Sequence, residues 1–264
     1  MPVQHYENFP VASWLLPARF RAPIEAIYAF ARGADDIADE GDLSDAARLR
    51  GLERYTRALD EIEAGGAPAE APFARLAWAV REYQLPVPLL RDLIDAFSQD
   101  VVKKRYATFE ELMDYSRRSA NPIGRLVLKL VSETDFPSSD AICSGLQIAN
   151  FWQDVAVDWR KGRVYIPQED LARFGVSERQ IEEQRVGANW QELMAFQCAR
   201  ARTMLRAGSP LGRALPGRLG LEIRATVLGG LAILDKIDAV AGDVFRYRPV
   251  LGTRDWMTIV VRAL

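Results

Sequence analysis

Apolar residues recur along most of the chain at intervals of three and four positions, which is the spacing of amphipathic helices. The first such segment places six core-type side chains on one helical face: Ile24, Ile27, Tyr28, Ala31, Ala34 and Ala38. Pro23 is predicted to lie near the first turn of this helix. No comparable segment alternates apolar and polar residues with a period of two. The pattern therefore predicts an all-α protein.

Capping residues and turn formers divide the rest of the chain into further helices. Ser44 is predicted to cap a helix that ends before Gly65, and capping-box patterns at 108–111 and 177–180 open two more. Ser139 is expected to cap a long helix that continues to Asp158. The other predicted helices cover residues 72–83, 88–97, 122–131, 190–206, 219–241 and 256–263. Since no repeat or long linker separates them, we expect one domain over residues 1–264.

The composition narrows the range of functions. The chain is 27% charged but carries a net charge of only -2, so we expect no nucleic-acid partner. Cys143 and Cys198 lack metal or redox spacing and are expected to be buried thiols in a reducing compartment. Residues 1–7 do not resemble a signal peptide, and the apolar stretch 225–234 is far shorter than the ~20 residues of a spanning helix. We expect a cytoplasmic protein, with peripheral membrane contact left open.

A first acidic row interrupts an otherwise apolar helical face. Tyr28, Arg32, Asp35 and Asp39 follow one another at four, three and four residues and so share one side of the first helix. The two aspartates are like charges one turn apart, close to a face that carries core-type residues. Partly buried carboxylates in this arrangement need a cation.

A second acidic row lies in the helix predicted to end at Asp158. Its members are Gln147, Asn150, Asp154 and Asp158, with Arg160, Lys161 and Arg163 immediately after it. Oxygen ligands without a histidine or cysteine partner favour Mg²⁺ or another hard cation, and Mg²⁺ commonly completes its shell with phosphate oxygens. Two such rows with nearby arginines therefore suit a bridged diphosphate.

The chemistry that follows from this interpretation is ionisation of a diphosphate ester. Metal and cationic side chains would stabilise the leaving diphosphate, and the remaining carbocation needs an apolar pocket with aromatic faces. The candidate aromatic residues are Phe9, Trp14, Phe30 and Trp152. A single acidic pair is usually a solvated helix face, and that simpler interpretation stays open on spacing alone.

These residues resemble the motifs of the squalene/phytoene synthase family. The first motif resembles Asp35-Asp36-Ile37-Ala38-Asp39 preceded by Tyr28-x-x-x-Arg32. The second resembles the row from Gln147 to Asp158 followed by Lys161-Gly162-Arg163-Val164-Tyr165-Ile166-Pro167. The similarity extends from about His5 to Arg248. It implies an all-helical isoprenoid synthase fold around a central cavity.

The resemblance also implies roles for individual residues. The Mg²⁺ ligands would be Asp35, Asp39, Asn150, Asp154 and Asp158, holding two or three ions, and the four aspartates among them would be catalytic. Contacts to the prenyl diphosphate would come from His5, Asn8, Phe9, Tyr28, Arg32, Gln147, Gln153, Lys161, Arg163, Tyr165 and Arg248.

Within the family, residues 5–13 and 117–122 are most similar to the hydroxysqualene synthases of bacterial hopanoid biosynthesis. That resemblance implies presqualene diphosphate as substrate, capture of the rearranged cation by water, and no NADPH. Gln153, the segment 115–121 and Gly230 depart from the condensing members. We expect Asn121, Arg117 or a neighbouring polar side chain to orient the water.

Two alternatives remain. One is a synthase that condenses two prenyl diphosphates, such as farnesyl diphosphate, to presqualene diphosphate, squalene or phytoene. The other is a non-catalytic relative or a helical binding module, which the two intact acidic rows disfavour.

Overall fold

The computed structural model describes residues 17–264, and helices account for nearly all of its regular structure. Within that range the order is α1 (Ala18–Asp39), α2 (Asp45–Glu63), α3 (Ala71–Tyr83), α4 (Val87–Val102), α5 (Phe109–Ser119), α6 (Asn121–Leu130), α7 (Phe136–Gln153), α8 (Val155–Arg160), α9 (Gln168–Arg173), α10 (Glu178–Glu182), α11 (Ala188–Gly208), α12 (Leu211–Ala214), α13 (Gly217–Ala239) and α14 (Thr253–Ala263). The only β pairing in the described residues is an isolated bridge between Arg105 and Val164. The all-α prediction is confirmed.

Several predicted helix starts are confirmed by their caps. The side chains of Ser44, Thr108 and Ser177 each accept a hydrogen bond from the backbone N–H three residues later. This contact satisfies one of the donors that a helix start leaves without an intrahelical partner. Hydrogen bonds between residues close in the sequence therefore define these helix starts.

The sequence predicted Pro23 near the first turn of α1, but the helix begins at Ala18 and Pro23 lies in its second turn. Proline has no N–H, so the carbonyl of Arg19 loses its intrahelical donor. The hydroxyl of Tyr83 donates to that carbonyl at 3.1 Å, which compensates for the loss.

The helix predicted from Ser139 to Asp158 is wrong at both ends. Asp135 caps α7, accepting from the backbone N–H of Ser138, while Ser139 lies buried inside the helix. At the other end α7 stops at Gln153, and Asp154 has φ -105° and ψ 15° before α8 begins. The second acidic row therefore spans a helix break.

α7 and α11 pack closely along their lengths, and this contact holds the second acidic row in place. A Cβ on Gly208 would lie 2.5 Å from the carbonyl oxygen of Ser138, so only glycine permits this approach. Trp152 is fully buried and donates its indole N–H to the carbonyl of Gln197 on α11. Packing, and not helix propensity, sets where α7 lies.

One hydrophobic cluster extends from α1 to the segment after α13, which supports the proposal of a single domain. Cys198 is buried and Cys143 partly so, and both are free thiols. Between residues 17 and 264, none of the helices is long and apolar enough to cross a membrane.

Candidate active site

A cavity of about 560 Å³ lies between α1, α4, α5, α6, α7, α8 and α13. One part of its wall carries both acidic rows, and the rest is mainly hydrocarbon. The apolar lining residues are Ile24, Ile27, Ala31, Phe97, Ile123, Val127, Phe151, Leu219 and Ile223. The cavity therefore combines a charged region with an apolar one.

All four members of the first acidic row line this cavity from α1. Arg32 donates from Nη1 to Oδ2 of Asp35 at 3.3 Å. Burial, followed by the charge of Asp39, raises the pKa of Asp35 to about 7. A carboxyl group this poorly solvated beside a second one favours a bound cation.

The second acidic row faces the same cavity through Gln147, Asn150 and Asp158. Burial, followed by the charge of Asp154, raises the pKa of Asp158 to about 8. Asp154 itself does not line the cavity, because it lies at the break between α7 and α8. The two rows thus border one hollow, from helices far apart in the sequence.

Basic side chains form ion pairs with two of the aspartates, Asp39 and Asp154. Arg163 Nη2 lies 2.5 Å from Asp39 Oδ1, and Lys161 Nζ lies 3.2 Å from Oδ2. Burial alone would raise the pKa of Asp39, but Arg163 and Lys161 lower it below its usual value. Arg248, after α13, donates from Nε and Nη2 to Asp154 at 2.5 and 3.1 Å.

Sequence analysis missed a buried cluster on the cavity wall. The carboxylate of Asp100 on α4 accepts from the hydroxyl of Tyr115 at 2.5 Å and from that of Tyr165 at 3.2 Å. The ring of Tyr165 stacks on Phe151, with centroids 3.8 Å apart. Asp100 follows Phe97 by three residues on the apolar face of α4. A charged residue on an apolar helix face is unusual, and this pattern could have identified Asp100 from the sequence as a candidate site residue.

Some predicted site residues do not reach the cavity. Asn121 is buried and accepts a hydrogen bond from Ser144 Oγ at 2.8 Å. Arg117 is half exposed and pairs with Asp114, so neither side chain faces the hollow. Gln153 is buried and its amide donates to the carbonyl of Pro249. Helix periodicity could not show which polar face of α5–α7 points inward.

The expectation that Phe30 and Trp152 face a carbocation is wrong. Both rings are fully buried in the core, Phe30 against Tyr55 and Phe73 and Trp152 against α11. The aromatic rings on the cavity are instead those of Tyr28, Phe97, Tyr115, Phe151 and Tyr165. His5, Asn8, Phe9 and Trp14 lie outside the described residues.

The donor set of the cavity fits Mg²⁺. Carboxylate and amide oxygens converge from α1, α7 and α8, without nitrogen or sulfur ligands. Across residues 17–264, no group of three or more acidic, histidine or cysteine side chains gathers closely enough to enclose an ion. Mg²⁺ usually needs only one or two carboxylates plus phosphate oxygens, so this spacing is compatible with an ion completed by substrate.

Known proteins share both the sequence and the architecture. Residues 3–255 match the family model for squalene/phytoene synthase. The hydroxysqualene synthase of Sinorhizobium fredii is 39% identical over 213 residues, which is 78% of this chain and 70% of that protein. The hydroxysqualene synthase of Rhodopseudomonas palustris is 38% identical over 82% of this chain and 74% of that protein.

A solved structure of a similar protein has the same fold as this chain. The crystal structure of squalene synthase HpnC from Alicyclobacillus acidocaldarius superposes with a TM-score of 0.83, at 36% identity over 90% of each chain. The helical bundle around a cavity is thus the isoprenoid synthase fold. The chain belongs to the squalene/phytoene synthase family and is an isoprenoid synthase that acts on prenyl diphosphates.

Proposed function

We propose that this enzyme converts presqualene diphosphate to hydroxysqualene, as its relatives named hydroxysqualene synthase indicate. The observation that carries the proposal is one cavity with an acidic region and an apolar region, in a chain 39% identical to such a relative. The reaction needs both regions, because diphosphate leaves from one and the carbocation rearranges in the other.

The acidic region would hold Mg²⁺ through Asp35, Asp39, Asn150, Asp154 and Asp158. When bound, the metal would neutralise charge that develops on the departing diphosphate. The bond between the prenyl carbon and the diphosphate oxygen breaks, and its electron pair stays with the diphosphate.

Basic residues near the acidic rows would bind the diphosphate. Arg163, Lys161 and Arg248 now pair with Asp39 and Asp154. Their donors can pass from carboxylate to phosphate oxygens, since guanidinium groups match both geometries. Arg32, on the cavity wall, is placed to join them. Each exchange would free a carboxylate oxygen for the metal.

The apolar region would hold the hydrocarbon and exclude bulk water from the cation. Tyr28 on α1 and the stacked rings of Phe151 and Tyr165 present aromatic surface to it. Such faces stabilise a cation through their quadrupoles. Exclusion of bulk water prevents premature quenching before the rearrangement is complete.

Purified enzyme incubated with Mg²⁺ and presqualene diphosphate, without NADPH, tests this function. We expect hydroxysqualene and free diphosphate, with no turnover of farnesyl diphosphate. Turnover of farnesyl diphosphate to presqualene diphosphate or squalene would contradict the proposal. That result would favour the second candidate, a condensing synthase. This candidate is considered because the similar structure of HpnC is described as a squalene synthase.

We also propose that α14 contacts an anionic lipid surface. Four apolar side chains on its outer face are exposed: Met257, Val260, Val261 and Leu264. Arg254 and Arg262 are exposed on the same helix, while the acidic Asp255 pairs with Lys236. Apolar side chains flanked by free cations suit the interface of a bilayer with anionic headgroups.

The position of α14 fits a route between membrane and cavity. Lys236 pairs with Asp255 at one end, and Arg224 donates to the carbonyl of Ala263 at the other, so α14 runs antiparallel to α13. The last turn of α14 therefore lies beside the half of α13 that carries the cavity residues Leu219 and Ile223. Hydrocarbon substrate and product dissolve in lipid, and a docked enzyme would exchange them there.

A further inference from the structure

A buried carboxylate on the cavity wall has no part in metal or diphosphate binding as described above. Asp100 is 4% exposed and lies on α4 one turn after the apolar Phe97, which also lines the cavity. Its two oxygens accept one hydroxyl each, Oδ2 from Tyr115 and Oδ1 from Tyr165. Its own backbone carbonyl accepts from Arg163 and Lys104, which fixes the end of the helix.

The hydrogen-bond directions determine what the two phenols offer to the cavity. Each phenol has one proton, and Asp100 takes both of them. The two phenol oxygens therefore keep only acceptor capacity on their remaining side. A water molecule beside them would donate its protons to the phenols and turn its oxygen lone pair away from them, toward the apolar region.

The cluster also borders the apolar region of the cavity. Tyr165 stacks on Phe151, and Tyr115 lies 6.2 Å from the same ring, so all three rings border the apolar region. Burial raises the pKa of Asp100 to about 6, with Arg163 and the Tyr115 hydroxyl acting in the opposite direction. Asp100 can thus be anionic near neutral pH and still accept a proton.

We infer that Asp100 is the positioning residue for water capture, acting through the hydroxyls of Tyr115 and Tyr165. This inference rests on the proposed function. The water lone pair forms the new C–O bond to the cation, and one water proton passes to a phenol oxygen. That phenol gives its original proton to Asp100, so a cation, a water and a carboxylate become an alcohol and a carboxylic acid.

The role predicts a specific defect in Asp100→Asn. An asparagine amide donates where the carboxylate accepted, so at least one phenol must turn its own proton toward the cavity. Water beside that phenol would then present its protons to the cation and could not add. Elimination of a proton from the cation, which gives a hydrocarbon, would compete successfully.

The experiment measures diphosphate release and the alcohol-to-hydrocarbon ratio from presqualene diphosphate. For Asp100→Asn we expect the ratio to fall about tenfold, the effect of losing one hydrogen bond, while diphosphate release persists. A merely structural role would lower both products together and leave the ratio unchanged, which would overturn the inference. Asp92→Asn, on the same helix but away from the cavity, is the matched control and should keep the wild-type ratio.

Tyr115→Phe and Tyr165→Phe provide a second measurement if Asp100→Asn does not fold. At least one of them should shift the ratio in the same direction, because each removes a phenol oxygen that would accept from the water. Wild-type ratios in both phenylalanine variants would overturn the inference. If the wild-type enzyme makes no hydroxysqualene, the proposed function fails; if it does and the variants match it, only this inference fails.

Discussion

Arg248 binds the carboxylate of Asp154 in a bidentate arrangement, with Nε 2.5 Å from Oδ1 and Nη2 3.1 Å from Oδ2. The pair joins the segment after α13 to the break between α7 and α8. It places a phosphate-binding type of side chain directly on a proposed metal ligand. If Asp154 binds the metal and Arg248 the diphosphate, as proposed above, the two binding events would be coupled at this contact.

Arg248→Ala should destabilise the metal-free enzyme. The substitution leaves the mostly buried Asp154 without its cation, which costs about 1–3 kcal/mol of unfolding free energy. Mg²⁺ plus inorganic diphosphate should stabilise the variant less than the wild type, because the proposed contact between Arg248 and phosphate is lost. Thermal denaturation with and without these ligands measures both effects. Arg246→Ala is the control: it removes an exposed guanidinium 3.5 Å from Asp243, while the backbone N–H of residue 246 still donates to that carboxylate, so stability should change by less than about 1 kcal/mol.

Asp35→Asn and Asp158→Asn should separate activity from stability. Each variant removes a proposed metal ligand, and we expect diphosphate release to fall by about 100-fold or more. Each also removes one member of a like-charged pair, Asp35 with Asp39 or Asp158 with Asp154, so stability without metal should be retained or increased. If both variants are instead less stable than the wild type, and this loss of folded enzyme accounts for their lower activity, the result would argue against a metal-binding role. Asp42→Asn, on an exposed turn after α1, should leave both unchanged.

Gly208→Ala tests the close approach of α11 to α7. The added Cβ meets the backbone oxygen of Ser138, which cannot rotate away, so the helices must separate. We expect a loss of about 1–3 kcal/mol in unfolding free energy, measured by urea denaturation. The neighbouring Ala207 is exposed, and Ala207→Ser should have little effect. A fully stable Gly208→Ala enzyme would show that α7 is positioned by other contacts.

The pH dependence of stability should differ between the wild type and Asp100→Asn. The folded pKa of Asp100, about 6, lies above the ordinary value of 3.8, so the folded state binds this proton more tightly than the unfolded state. Its contribution to stability is complete below pH 4 and is lost as the pH rises through 6. Over that window the wild type should lose on the order of 3 kcal/mol relative to the variant. Parallel stability curves would show that Asp100 titrates normally.

Val261→Glu should weaken binding to vesicles that contain anionic lipid. It replaces an apolar side chain that is 72% exposed on α14 with a negative charge, and we expect about fivefold weaker binding in cosedimentation, equivalent to ~1 kcal/mol. Val102→Glu, at a comparably exposed valine on α4, is the matched control. Equal effects from both substitutions would remove α14 as the docking surface.

Local patterns in the sequence determined the helices and their chemical character. The caps at Ser44, Thr108 and Ser177 depend on side chains three residues from their partners, and the acidic rows follow from a 3.6-residue period. The family motifs added the expectation of a prenyl diphosphate enzyme, which the comparisons confirm.

Only the tertiary structure decided which polar residues meet. Asp100, Tyr115 and Tyr165 lie on separate segments, and no local period links them. Likewise, the sequence did not distinguish Asn121, which packs inward against Ser144, from residues that reach the cavity. The physical reason is that a helical pattern defines a face, whereas the direction of that face depends on long-range packing between helices.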